Sequence, residues 1–182
     1  MVFESVKVLD KTGKEIELRS PVETDAEDLI KYLKITNAES PFLICEPEEV
    51  RLTVDAEKGI IKRKNEDPRE LLLLAFEDGK HIGNCALMSV GNSVRYEHRC
   101  SIAIALYKEY CGRGIGKIML EKVLSEAKKL GYEQAELEVM TENKGAITMY
   151  EKIGFIKCGT LPHSTRYKDG SYADSYWMVK SL

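Results

Sequence analysis

The sequence predicts a single α/β domain over residues 1–182, built on a mixed sheet. Three observations lead there. The chain has 182 residues, and one domain of that size buries about 70% of its unfolded surface without staples. Strand and helix patterns follow one another as β-α-α-β-β-β-α-β-α-β-β, an order that layers helices on a sheet. Asp78-Gly79 and Lys168-Asp169-Gly170-Ser171 are hairpin signals, so part of that sheet is antiparallel.

Taken in order, Glu15–Arg19 fits a short strand. Thr24-Asp25-Ala26-Glu27 has the form of a capping box, which predicts a helix from Asp25 to about Ala38. Pro47 suits a first helical position and predicts a second helix to about Lys64. Three strands follow, at about Leu71–Glu77, His81–Val90 and Arg99–Leu106. From Gly114 to Leu130, apolar residues fall at 115, 118, 119, 123, 124, 127 and 130. That is one buried helical stripe, with Gly131 placed to end it. A strand at Glu133–Met140, a helix at Lys144–Ile153 and two closing strands complete the chain.

Composition removes several functions. Apolar residues are 43% and charged residues 31%, which excludes a disordered chain. The net charge of −3 argues against a nucleic-acid partner, which calls for a large basic footprint. The strongest apolar run, Leu71–Phe76, is bracketed by Glu70 and Glu77, far short of a membrane span. Glu4 and Lys7 stand where a signal peptide would carry its apolar core, so a cytoplasmic location is expected. Five cysteines at 45, 85, 100, 111 and 158 are odd in number and widely spaced. They predict reduced thiols, and with no paired histidines no metal is expected.

The most informative segment is Ile102–Lys117, IAIALYKEYCGRGIGK. A strand ends in a short polar turn, and Gly112, Gly114 and Gly116 then open a long amphipathic helix. Glycine allows close backbone approach, and a helix start presents unpaired N–H groups. A phosphate or pyrophosphate is the natural occupant. A Walker loop needs glycine at 111 and Ser or Thr at 118; the chain has Cys111 and Ile118. A dinucleotide fingerprint needs glycine at 117, where Lys117 stands. Glu136 and Glu138 do occupy the place of a ribose-binding acid, but too little chain follows to complete such a sheet.

The strand followed by x-x-Gly114-x-Gly116 resembles the acetyl-CoA pyrophosphate loop of the GNAT superfamily of N-acetyltransferases. Further on, Asn143 and Tyr150-Glu151-Lys152-Ile153-Gly154-Phe155 resemble that family's second motif, an Asn followed by a helix ending in Tyr-x-x-x-Gly-Phe. The resemblance implies the GNAT fold, a mixed, twisted central sheet of about six to seven strands flanked by about four helices. It implies acetyl-CoA as cosubstrate, held by Cys111, Gly112, Arg113, Gly114, Ile115, Gly116 and Lys117. Backbone groups of Ile104, Ala105 and Leu106 would pair with the pantetheine and polarise the acetyl carbonyl. Asn143 would bond the pantetheine arm, and Tyr150 would protonate the departing thiolate. The ribosomal-protein N-acetyltransferase branch carries a water-relaying glutamate at the position of Glu138. A side chain at Gly114 or Gly116 is expected to block the coenzyme at little cost to the fold. Cys111 departs from the family, which usually has Gln or Arg there, and reads as a buried, inert thiol.

Residue chemistry supports the same assignments. In Glu133–Met140, residues 135, 137 and 139 are apolar on one face, and Glu136 and Glu138 share the other. Asn143 is equally a plain helix N-cap, and Tyr150 equally a core residue. Glu39–Glu49 holds four glutamates and no basic residue, which suits a cationic amine and also suits a helix's first turn. Tyr167, Tyr172, Tyr176 and Trp177 fit an acceptor site or sheet packing. A protein N-terminus, a lysine, a polyamine, an amino acid and an antibiotic all satisfy the need for an amine, small or peptidic. A non-catalytic acyl-CoA-binding module is the competing class, and a homodimer is compatible with the sequence.

Overall fold

The computed structural model describes all 182 residues. Eight strands and four α-helices form: β1 (Val6–Leu9), β2 (Glu15–Arg19), α1 (Ala26–Glu39), α2 (Val54–Glu66), β3 (Leu71–Glu77), β4 (Lys80–Ser89), β5 (Arg99–Leu106), α3 (Ile115–Lys129), β6 (Gln134–Met140), α4 (Lys144–Ile153), β7 (Ile156–Arg166) and β8 (Tyr172–Ser181). The mixed α/β class is as expected, with one strand more. The additional strand, β1, has four residues and pairs antiparallel with β2, Val6 opposite Leu18. A strand that short, with Lys7 and Leu9 exposed, offers little periodicity to read.

The chain forms two compact units, Met1–Met88 with Ala103–Val123, and Ser89–Ile102 with Leu124–Leu182. In the first, β1, β2, β3 and β4 run side by side, each antiparallel to the next. Asp78 and Gly79 turn the β3–β4 hairpin with φ of 50° and 77°, the left-handed pair of a type I′ turn. Ala26 and Leu29 of α1 and Ile61 of α2 cluster with Leu74 and Phe76 of β3. That cluster packs both helices against β3. In the second unit, β8 lies between β6 and β7, antiparallel to both. The start of β5 pairs parallel with β6, Arg99 opposite Gln134 through Ser101 opposite Glu136. Tyr132, Ala135, Leu137, Val139, Phe155 and Met178 are buried there.

Two helix starts differ from expectation. Before α1, Glu23–Asp25 forms a single 3-10 turn. Asp25 does not cap with its side chain; its carboxylate takes the Arg19 guanidinium at 2.7 and 2.9 Å and accepts the Val22 N–H at 2.7 Å. The reciprocal bond of a capping box thus forms at Val22 and Asp25, two residues before the Thr24–Glu27 pair that the sequence suggests. Pro47 also opens one 3-10 turn only, Pro47–Glu49. The second helix waits for Thr53, whose hydroxyl accepts the Ala56 N–H at 3.2 Å as a side-chain N-cap.

Candidate active site

The glycine loop follows β5 through a 3-10 turn at Lys108–Tyr110. Gly112 has φ +80° and Gly114 φ +84°, conformations that favour glycine. Gly114 carbonyl accepts the Ile118 N–H at 3.2 Å. The N–H groups of Ile115, Gly116 and Lys117 precede that bond, at the positively polarised end of a 15-residue helix. The first turn of α3 holds no acidic residue, and a Cβ at Gly112 would meet nothing within 4 Å. Helix-start donors, open space at Gly112 and a first turn without a carboxylate fit a pyrophosphate. Lys117 is exposed and pairs with Glu121 at 3.4 Å.

Arg113 anchors the loop from behind. Its Nε donates to Asp10 at 2.6 Å and its Nη1 to Glu77 at 2.7 Å, and its carbonyl accepts the Lys11 N–H at 3.0 Å. Lys14 reaches Glu77 at 2.8 Å. Burial alone would raise the Asp10 carboxyl; hydrogen bonds from Thr12, Arg113 and the backbone N–H of Lys14 outweigh it and hold the group well below its ordinary range. Arg113 and Lys14 likewise lower Glu77. Both folded values lie below the unfolded ones of about 4, so the stabilisation is full above that pH and drains as pH falls further. Asp10→Asn is expected to lower the melting temperature at pH 7 and to flatten its acid dependence below about pH 4.5. CoA affinity should fall about tenfold as the loop loosens. Thermal melts from pH 3 to 7 beside a CoA titration check this; parallel acid profiles for variant and parent would contradict it.

Cys111 is exposed rather than buried, because the glycines beside it leave the loop open. Its thiol is nonetheless pushed up, by partial burial and by Glu39 nearby, and it donates to the Tyr107 carbonyl at 3.7 Å. A raised thiol is a poor nucleophile and redox sensor. Glu39 itself accepts the Lys108 N–H at 2.9 Å and Glu49 the Glu46 N–H at 2.6 Å, so glutamates of that acidic stretch have structural partners. Ile104, Ala105 and Leu106 are half-buried. The Ala105 carbonyl accepts the Tyr32 hydroxyl at 2.8 Å, a contact spanning 73 positions that no local pattern announces.

In the second unit, Asn143 caps α4: its side-chain oxygen accepts the Ala146 N–H at 3.2 Å. Tyr150 is buried on α4, its ring edge-on to Phe155 at 5.8 Å, and Gly154 ends the helix at φ 100°. The two strand glutamates part company. Glu136 is buried and takes Arg99 at 2.7 to 3.0 Å, whereas Glu138 is exposed and accepts the Ser175 hydroxyl. Trp177 lies opposite Glu138 in the ladder and is 40% exposed, an aromatic surface beside the carboxylate. Tyr167 donates to Met140 sulfur at 3.2 Å and Tyr172 stacks on His163 at 4.7 Å. The loop and Ile104–Leu106 thus lie in the first unit, and Glu138, Asn143 and Tyr150 in the second.

A glycine loop opening a long helix, followed by an Asn-capped helix that ends in Tyr-x-x-x-Gly-Phe, is a pattern that can be compared with known proteins. The profile of the acetyltransferase (GNAT) family matches residues 31–155. The chain belongs to that family. Over 95 residues it is 34% identical to the N-alpha-acetyltransferase MAK3 of Arabidopsis thaliana, covering 52% of this chain and 49% of that protein. The chain therefore spans about half the length of that curated relative. It is 29% identical over 116 residues to the N-alpha-acetyltransferase RimI of Mycobacterium tuberculosis, covering 64% of this chain and 69% of RimI. Among solved structures, a GNAT-family acetyltransferase from Streptococcus pneumoniae superposes with a TM-score of 0.87 at 25% identity, over 92% of this chain and 99% of the other. In this GNAT member no helix is long and apolar enough to cross a membrane.

Proposed function

We propose that the protein transfers an acetyl group from acetyl-CoA to a primary amine by direct attack in a ternary complex, and that the amine is an α-amine at a peptide N-terminus. The observation that carries the reading is the glycine loop: two left-handed glycines and three helix-start N–H groups, held rigid by Arg113, in a chain of GNAT membership. Gly112, Arg113, Gly114, Ile115, Gly116 and Lys117 hold the pyrophosphate chiefly through backbone N–H groups, so Cys111 in place of a polar residue costs little. Ile104, Ala105 and Leu106 pair with the pantetheine, and Asn143 bonds its arm. Tyr150 is the acid and Glu138 the base.

An α-amine suits an exposed carboxylate base. Freeing an amine of its proton at pH 7 costs about 1.4 kcal/mol for an α-amine and about 4.6 for a lysine side chain. A weak base relaying through water can cover the smaller demand. The relatives named N-alpha-acetyltransferases agree with that choice. The test is release of CoA thiol from acetyl-CoA in the presence of free-N-terminus peptides, N-blocked lysine peptides and polyamines. Turnover with the first alone is expected. Turnover only with blocked lysine peptides would remove the α-amine, and tight CoA binding with no turnover on any amine would make the protein an acyl-CoA-binding module.

Glu138→Gln then has a calculable signature. Gln keeps an oxygen for Ser175, so the strand is unchanged. With an α-amine acceptor the loss at pH 7 should be about tenfold and should vanish near pH 8–9, once the amine titrates by itself. A lysine acceptor would make the loss about 10³-fold and carry it to higher pH. A pH–rate profile of parent and variant distinguishes these, and equal loss at every pH would assign Glu138 to substrate positioning.

A further inference from the structure

Tyr32 is an α1 residue that the assignments above leave unused. It is 2% exposed, and its ring meets His81 at 4.8 Å and Tyr107, edge-on, at 5.3 Å. Burial pushes its phenol well above the ordinary range, opposed by a hydrogen bond from the Asn84 backbone N–H. The hydroxyl therefore stands between a β4 amide and the β5 carbonyl of Ala105, to which it donates at 2.8 Å. Strand β4 bulges at the same place: its register with β3 shifts between Ala75 opposite Gly83 and Phe76 opposite His81. His81 Nε2 lies 3.1 Å from the Gly83 carbonyl and 2.6 Å from Asn84 Oδ1; two acceptors call for the Nε2–H tautomer.

The Ala105 carbonyl and the Leu106 N–H belong to one planar trans peptide and point in opposite directions. The next amide, Tyr107 N–H, donates to the Ile82 carbonyl of β4 at 3.1 Å. Successive amides of an extended strand alternate sides, so Leu106 N–H faces away from β4. Gly83 leaves the peptide room on the β4 side: a Cβ there would stand 2.9 Å from Ala105 oxygen and 2.8 Å from Leu106 Cδ2. With no side chain at Gly83 in the way, the Tyr32 hydroxyl reaches the Ala105 carbonyl at 2.8 Å.

We infer that Tyr32 is a positioning residue for acyl transfer, holding the Ala105 carbonyl so that the Leu106 N–H on the far side of the same peptide is aimed at the thioester carbonyl. The inference rests on the acetyltransferase reading above. A donor aimed in advance at developing negative charge acts on the rate rather than on coenzyme affinity.

The experiment compares parent and Tyr32→Phe in single-turnover acetyl transfer, and follows backbone amides by NMR with CoA and with acetyl-CoA. In the parent, Gly112–Lys117 amides should shift with both ligands, and Leu106 should differ between them because only acetyl-CoA presents a carbonyl. In Tyr32→Phe the acetyl-CoA KM should stay within about twofold while the rate drops roughly tenfold, short of the 10²–10³ that follows outright removal of a donor. The Leu106 difference should shrink with it. A purely structural Tyr32 would lower the melting temperature and leave both the Leu106 difference and the KM–kcat split unchanged, which overturns the inference. The parent alone also decides: loop amides that shift while Leu106 is indifferent to the acetyl group overturn the inference and leave the function standing. No shift with either ligand overturns both.

Discussion

Gly116→Val is expected to fold as the parent does and to bind CoA at least 10²-fold more weakly, a loss of about 2.7 kcal/mol or more. Gly116 is the second residue of α3 and is buried. Its φ is not among the left-handed ones, so valine meets no backbone barrier, and in a helix valine is a better former than glycine. A valine side chain there is expected to crowd the helix-start N–H groups that a phosphate must approach. Gly114 is the wrong position for this test, contrary to the expectation from sequence. Its φ is +84°, and a Cβ would stand 2.9 Å from Lys11 Cγ and Cε, so a substitution there strains the backbone and confounds folding with binding. Calorimetric titration of folded Gly116→Val with CoA is the measurement. Unchanged affinity would remove the loop from the coenzyme site.

That contrast between Gly114 and Gly116 marks where sequence reading succeeds and where it stops. Periodicity placed α3, β6 and α4 within a residue or two, because each buries a continuous face that the apolar spacing records. Gly131 was legible as a helix end because the left-handed turn it makes, φ 85°, favours glycine, and Gly154 makes the same turn at φ 100°. Long-range partners left no such trace. Nothing near Arg113 in the chain announces Asp10, 103 positions away, so a residue that reads as a phosphate ligand proves to have its guanidinium committed to two carboxylates. Glu136 and Glu138 are equivalent by alternation. Only the tertiary pairing of Glu136 with Arg99 separates a buried structural acid from an exposed one. Tyr32 sits in an ordinary helical stripe and was unreadable for the same reason.

Tyr150→Phe is expected to lower turnover by 10²–10⁴-fold with CoA affinity within about twofold. The variant removes one hydroxyl, and the ring keeps its edge-on contact with Phe155, so the α4 packing should hold. Loss of one buried hydroxyl shifts stability by about 1 kcal/mol, too little to unfold the domain. The chemical argument concerns the leaving group. A phenol titrates near 10 and a free thiol near 8.5, so donating a proton to the departing thiolate is uphill by about 2 kcal/mol, a gap that a water-poor site narrows. A leaving thiolate without that proton is the poorer leaving group at neutral pH. The loss should therefore shrink at low pH, where solvent protonates the thiolate instead. Single-turnover acetyl transfer from pH 6 to 9, beside a CoA titration of the same variant, reads both quantities. If Tyr150 were only a core residue, the rate would stay within threefold of the parent at every pH, and the proton would have to come from another group.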